Sequence, residues 1–245
     1  MNRGFYLVMA AQALSSLADN ALFIAAIALL QQLDSPDWMA PMMKWWFAAT
    51  YVLLAAFVGA FADSFPKGRV MFATNALKIV GCLLMFWYWA FGLTDAHAAY
   101  LVVGAFALVG VGAAAYSPAK YGIVTEMLRP LDLVKGNSWI EGLTVLSIIL
   151  GTVLGGVLIS PTVSGWLLSH STIASFVHTP AEAAILCIAF VYAAAAGCNL
   201  LIPRTNIQYP KQHKNPARLV KNFAGYVKIL WEDKLGQISL AVTTL

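Results

Sequence analysis

Six apolar segments, each long enough to cross a lipid bilayer, constrain the fold of this chain more than any other feature. A helix crosses the hydrocarbon core in about 20 residues. Only 11% of the residues are charged and the mean hydropathy is +0.75, which excludes an ordinary soluble domain. The sequence therefore predicts an all-α membrane protein. Its predicted spans are Phe5–Leu30, Pro41–Ala62, Val70–Phe91, Tyr100–Pro118, Ser138–Ser160 and Ala181–Ile202.

Lysine and arginine residues are concentrated in alternate connections between these segments. Because basic residues stay on the cytoplasmic side of short loops, this pattern predicts a cytoplasmic N-terminus. Inner loops that lie against anionic membrane lipids account for the net charge of +4, so no nucleic-acid partner is indicated. The three cysteines lie inside predicted spans without metal-ligand spacing, and we expect no disulfide framework, metal or cofactor.

A long basic connection follows the sixth segment. From Pro216 onward, apolar residues alternate with lysines as in an amphipathic helix that lies on the inner leaflet; a solvated connector helix is the alternative. The last residues have the composition of an unfinished seventh span. We therefore divide the chain into a six-helix part (1–202), a cytoplasmic loop (203–235) and the start of a seventh helix (236–245).

The connection between the second and third segments reads "GAFADSFPKGRVM", Gly59 to Met71. Gly59 and Asp63 share one helix face, where the glycine is expected to let a neighbouring helix approach. Asp63 opposes the dipole at the helix C-terminus, so it requires a compensating cation or a neighbouring helix N-terminus. This glycine, aspartate and basic pattern resembles the signature loop of the major facilitator superfamily.

Further stretches resemble one branch of that superfamily, the bacterial lysophospholipid transporters. They are "LADNAL" (Leu17–Leu22), "ADSFPKGRVM" (Ala62–Met71), "GVGAAAYSPAKYGI" (Gly110–Ile123) and "LVKGN" (Leu133–Asn137). The resemblance implies a flippase that moves lysophospholipid, chiefly lysophosphatidylethanolamine, from the outer to the inner leaflet of the bacterial inner membrane. It also implies a cytoplasmic-side acyltransferase, separate or fused, that restores the missing chain. The superfamily has two six-helix halves, so either this chain is a fragment or a partner supplies the second half.

Charged groups inside the spans are the candidate substrate contacts, because burying a charge in hydrocarbon is costly. Lys78 lies about 13 Å into the third span and Asp19 about 21 Å along the first, at 1.5 Å per residue. A lysophospholipid carries a phosphate and an ammonium, which Lys78 and Asp19 respectively are expected to meet. Asn20 is a third candidate substrate contact, because the family resemblance includes the Asp-Asn pair. A snorkelling lysine and a purely structural polar link between helices are the alternatives.

A second group of residues is expected to serve the conformational cycle. Lys120 and Glu141 lie near the cytoplasmic ends of the fourth and fifth spans, where an interfacial salt bridge or a gate is expected. Pro118 is expected to kink or end the fourth helix. The full gating set is Gly59, Asp63, Lys67, Gly68, Arg69, Lys120, Glu126 and Glu141.

Three other functions are less consistent with the sequence. A proton-coupled exporter of drugs or small molecules also needs a buried carboxylate, and only the family resemblance argues against it. An acyltransferase would need a His-x-x-x-x-Asp pair, which is absent, as are Gly-x-Ser-x-Gly and Walker loops, so no catalytic residue is predicted. A scaffold protein has no need of charges inside its spans.

Overall fold

The computed structural model describes residues 3–169, 177–203, 205, 207 and 216–237, and in these residues the fold consists of helices and short connections. Short 3₁₀ helices cover Tyr88–Phe91 and Pro130–Asp132. The α-helices are α1 (Arg3–Gln32), α2 (Met39–Ser64), α3 (Lys67–Phe86), α4 (Asp95–Met127), α5 (Leu133–Ile159), α6 (Pro161–Ser169), α7 (Pro180–Leu200) and α8 (Pro216–Glu232).

Six of these helices, α1 to α5 and α7, are long and apolar enough to cross a membrane. Helices form here because backbone groups in hydrocarbon must find their hydrogen-bond partners within the segment. The predicted all-α membrane fold with six apolar helices is therefore confirmed, and the chain is a multi-pass membrane protein.

The predicted ends of the third and fourth spans are wrong, and α4 and α5 also begin at Asp95 and Leu133, before the predicted starts Tyr100 and Ser138. The third span was predicted to reach Phe91, but α3 ends at Phe86 and a 3₁₀ turn follows, closed by Gly92 in the left-handed region at φ 59°. The fourth span was predicted to end at Pro118, but α4 continues to Met127. A proline removes a single backbone donor, and α4 is the most buried of the spans, so packing against its neighbours holds the helix together.

Small residues set the closest helix contacts. In the packing, α1 lies against α5 and α7, α4 lies against α2 and α3, and α3 also contacts α7. Gly155 on α5 faces α1, where a Cβ atom would stand 2.8 Å from the Ala21 carbonyl oxygen. At Gly59 no described atom lies within 4 Å of the Cβ position, so the described helices do not make the close approach expected there.

The buried apolar residues form two clusters separated by polar side chains. One cluster includes Leu22, Met85 and Ile185, and the other includes Phe5, Met71 and Ile123. Between them on α1 and α3 lie buried polar residues, namely Gln12, Ser15, Thr74, Asn75 and Lys78. This polar layer, at mid-depth in the helix bundle, is the candidate functional site.

The amphipathic helix expected from Pro216 is observed as α8, Pro216–Glu232. Val220, Phe223 and Val227 on this helix are exposed, and α8 contacts α2. Residues 238–245, which carry most of the predicted seventh span, lie outside the described residues.

Candidate functional site

The polar layer is organised around an ion pair between α1 and α3. The Nζ atom of Lys78 lies 2.8 and 2.9 Å from the two carboxylate oxygens of Asp19. Lys78 also donates to the Ser15 hydroxyl at 3.0 Å, and Ser15 donates to the Asn75 side-chain carbonyl at 2.8 Å. Lys78 is only 1% exposed, so its ammonium has exchanged water for protein partners.

Aromatic side chains complete the surroundings of the pair. The Tyr192 hydroxyl on α7 donates to the Asp19 carboxylate at 2.6 Å. The Lys78 ammonium lies 5.4 Å from the ring centroid of Tyr116 and 5.5 Å from that of Tyr192, within cation–π range. The single carboxylate of Asp19 therefore joins α1, α3 and α7.

The arrangement differs from what the sequence led us to expect. Asp19 and Lys78 were expected to contact opposite charges of a substrate, whereas in this structure they neutralise each other. Burying two charges is favourable only when they are paired and their remaining hydrogen-bonding capacity is met. The Asp19 side chain retains 17% exposure, so the pair is not sealed from its surroundings.

Asn20, predicted to act beside Asp19, does not face the pair. Its side-chain amide donates to the Ser16 carbonyl of the same helix at 2.9 Å. Its Cβ atom packs near Gly151 of α5. Successive residues of an α-helix point about 100° apart, and here that rotation turns Asn20 away from the pair and towards α5.

The pair borders a polar cavity of about 110 Å³. Its lining includes Gln12, Asp19, Lys78, Tyr116, Ser117 and Lys120. Such a volume holds a few water molecules or a small polar group, at about 30 Å³ per water.

Within the loop predicted to serve gating, Lys67 joins the end of α2 to α4. The Lys67 ammonium contacts the Asp63 carboxylate at 2.5 Å and also donates to the Ala62 carbonyl at 3.1 Å. Lys67 thus supplies the cation that Asp63 requires at the C-terminus of α2. Its side chain also packs against Gly122 on α4, while Gly68 lies near Asn199 of α7 and Arg69 is exposed.

The other predicted gating residues lie at the cytoplasmic ends of α4 and α5 as the sequence orients them. Glu141 accepts a hydrogen bond from the Tyr121 hydroxyl at 2.7 Å, and Glu126 accepts one from Thr205. Lys120 is 7% exposed and its ammonium lies 4.5 Å from the centroid of the Tyr121 ring. In the described part of the chain, neither Lys120 nor Glu141 has an ion-pair partner within 4.0 Å.

Reasoning from the sequence missed Tyr192, Ser15 and Asn75. Tyr192 carried a usable signal, because tyrosines in spans concentrate at the membrane interfaces and this one lies in the middle of the sixth apolar segment. Ser15 and Asn75 carried a weaker one, since polar residues in spans commonly bond across helices.

Comparison with known proteins decides the family. The chain matches the sequence profile of the Major Facilitator Superfamily over residues 8–243. It belongs to this superfamily. The match covers all six membrane-spanning helices and the basic connection that follows them.

Among its curated relatives within the Major Facilitator Superfamily are proteins named lysophospholipid transporter LplT. The chain is 38% identical to the one from Pectobacterium carotovorum over 250 residues, which covers 100% of this chain and 53% of the relative. Those of Serratia proteamaculans and Yersinia enterocolitica are each 40% identical over 245 residues, covering 100% of this chain and 54% of each relative. The chain therefore spans about half the length of the curated relatives it matches.

A solved structure supports the fold. The crystal structure of the peptide transporter POT in complex with alafosfalin superposes with a TM-score of 0.51 at 18% sequence identity. The superposition covers 100% of this chain and 46% of the transporter chain. At this identity the likeness is one of fold alone.

Proposed function

We propose that this chain forms the first six-helix half of a lysophospholipid transporter, and that a second half completes the transport path. The transporter moves lysophospholipid, chiefly lysophosphatidylethanolamine, from the outer to the inner leaflet of the bacterial inner membrane. An acyltransferase on the cytoplasmic side then consumes the product. The names of the relatives support this substrate class.

The observation that carries the proposal is the Asp19–Lys78 pair beside a polar cavity at mid-depth. Lysophosphatidylethanolamine is a zwitterion, so its phosphate competes with Asp19 for Lys78 while its ammonium competes with Lys78 for Asp19. Substrate binding then replaces one set of ionic contacts by another and leaves no buried charge unpaired. A group at mid-depth that alternates between two sets of partners suits an alternating-access cycle.

The loop between α2 and α3 serves the conformational cycle in this proposal. The Asp63–Lys67 contact joins the end of α2 to the start of α3, and Lys67 also packs against α4. Rocking of the two halves changes such contacts at the cytoplasmic surface. The contacts of this loop therefore change with the conformation of the transporter, and the loop does not contact the substrate.

The proposal is tested by measuring inward transport of labelled lysophosphatidylethanolamine in spheroplasts that express the full-length protein. Asp19→Asn keeps the shape of the side chain but removes its charge, so we expect a loss of transport of about tenfold or more, as for a lost charged hydrogen bond. Asn20→Ala is the matched control. It changes the adjacent residue, which faces α5, and should weaken transport less.

The test also separates the competing function. Normal transport by Asp19→Asn, in protein that inserts and purifies as a folded monomer, contradicts the assigned role of the pair. Proton-linked export of cationic compounds, without movement of lysophospholipid by the unaltered protein, identifies a drug or small-molecule exporter instead.

A further inference from the structure

Lys120 differs from the other buried cations of the bundle. Three lysines in the described part of the chain are buried, and two of them have a carboxylate partner: Lys67 contacts Asp63, and Lys78 contacts Asp19. Lys120 is 7% exposed, yet no described carboxylate oxygen lies within 4.0 Å of its ammonium. The ammonium has lost part of its hydration without gaining an anion, yet its nitrogen is not fully enclosed, so an anion in the cavity that Lys120 lines can reach it.

The protein groups around Lys120 do not meet this need. Its ammonium lies 4.5 Å from the Tyr121 ring centroid, and a cation–π contact replaces only part of the lost hydration. The Glu141 carboxylate does not reach Lys120 within 4.0 Å and instead accepts a hydrogen bond from the Tyr121 hydroxyl at 2.7 Å. The expected gate or salt bridge at Lys120 therefore lacks its second member.

Lys120 lines the same cavity as the Asp19–Lys78 pair. Ala113, Tyr116, Ser117 and Lys120 recur at three- and four-residue spacing on α4, so one face of this helix lines the cavity. The stem of Lys78 packs against Gly112 of α4. Lys120 follows Gly112 by eight residues, or about 12 Å along the helix, towards the end that the sequence orients to the cytoplasm.

We propose that Lys120 is an anion-binding subsite for the phosphate of the lysophospholipid, on the cytoplasmic side of the Asp19–Lys78 pair. The inference rests on the proposed function and extends it, because it adds a second phosphate contact at a different depth. With one carboxylate and two ammonium groups, these three side chains carry a net charge of +1. The Asp19–Lys78 pair uses one cation and Lys120 supplies the other, so contact of the phosphate with Lys120 breaks no ion pair, whereas contact with Lys78 does.

Calorimetry tests this subsite by measuring ligand binding to the full-length protein in nanodiscs. The probes are lysophosphatidylethanolamine, with phosphate and chain; monoacylglycerol, with a chain but no phosphate; and glycerol 3-phosphate, with phosphate but no chain. In Lys120→Met we expect binding of lysophosphatidylethanolamine to weaken about tenfold or more, with monoacylglycerol affinity unchanged. Lys120→Arg keeps the charge and should retain most of the affinity.

Two controls isolate the subsite. Lys135→Met removes an exposed lysine from the first turn of α5, outside the cavity, and should leave all affinities unchanged. Glu141→Gln should not weaken phosphate binding, whereas a gate formed by Lys120 and Glu141 would make the two variants equally damaging. Should Lys120→Met lose monoacylglycerol binding through misfolding, Lys120→Gln provides the same comparison with a polar side chain.

Each outcome is decisive. Unchanged lysophosphatidylethanolamine binding in folded Lys120→Met or Lys120→Gln overturns the subsite, while leaving the proposed function intact. Failure of the unaltered protein to bind any lysolipid overturns the proposed function itself. Loss of glycerol 3-phosphate binding alone, with lysolipid binding retained, assigns Lys120 to a soluble phosphate and not to the lipid.

Discussion

Asp19 and Lys78 form a buried ion pair whose members are 59 residues apart in the chain. Each side chain depends on the other, because either charge alone would remain in a poorly hydrated position. Each member of the pair has its own uncharged hydrogen-bond partner: Ser15 accepts a hydrogen bond from Lys78, and Tyr192 donates one to Asp19. The pair is thus held in one orientation by uncharged partners.

Removing one member of the pair should destabilise the bundle. We expect Lys78→Met to lower the free energy of unfolding by about 3 kcal/mol, because it leaves the Asp19 carboxylate without its cation. The double variant Asp19→Asn with Lys78→Met should recover most of this loss. Unfolding in mixed detergent and denaturing-detergent micelles measures both effects, with exposed Lys135→Met as a control close to zero. A double variant less stable than either single variant would argue against a direct interaction.

Helix α5 illustrates how one element is positioned by a narrow face. Its buried residues are Gly136, Ile140, Ser147, Gly151 and Gly155, which recur at intervals of four or seven. This face packs on α1, while apolar residues on the other faces, such as Leu146, Ile149 and Val153, are exposed. Exposed apolar side chains are expected where a helix borders lipid, so α5 depends on its glycine face for its contact with α1.

Two adjacent glycines of α5 provide a test at this scale. A Cβ atom at Gly155 would lie 2.8 Å from both the Ala21 carbonyl oxygen and the Ile24 Cβ atom, whereas Gly156 has open space. Gly155→Ala should therefore cost about 1–3 kcal/mol through overpacking. Gly156→Ala should be neutral or stabilise by up to about 1 kcal/mol, since alanine favours helix. Equal unfolding free energies for the two variants would contradict this packing of α1 on α5.

At the scale of the whole molecule, one end of the bundle carries pairs of contacting aromatic side chains. Trp38 lies 6.5 Å from Tyr100, and Trp89 lies 5.9 Å from His178, measured between ring centroids, so the connections that follow α1 and α3 meet the starts of α4 and α7 at one end. Lys67 and Arg69 begin α3 at the opposite end. Tryptophan and tyrosine suit the membrane interface, while basic residues mark the cytoplasmic side.

Orientation in the membrane is testable with single cysteines in a background from which the three native cysteines are removed. We propose that Leu131 faces the cytoplasm and Asp37 the outside. Leu131 is 94% exposed and Asp37 is also exposed, so access to either depends on the side of the membrane. An impermeant thiol reagent should label Asp37→Cys but not Leu131→Cys in intact spheroplasts, and both after lysis. The reverse labelling pattern would invert the assigned topology.

The sequence by itself determined the six membrane-spanning helices, because a backbone in hydrocarbon must satisfy its hydrogen bonds within each segment. It also identified Asp19 and Lys78 as unusual, because the cost of burying a charge is visible from position in an apolar run. The contacts between helices were decided only by the tertiary structure. Rotation of α1 turns Asp19 towards Lys78 and Tyr192 while it turns Asn20 towards α5. That rotation depends on close packing of side chains from segments up to 173 residues apart, and no local pattern encodes it.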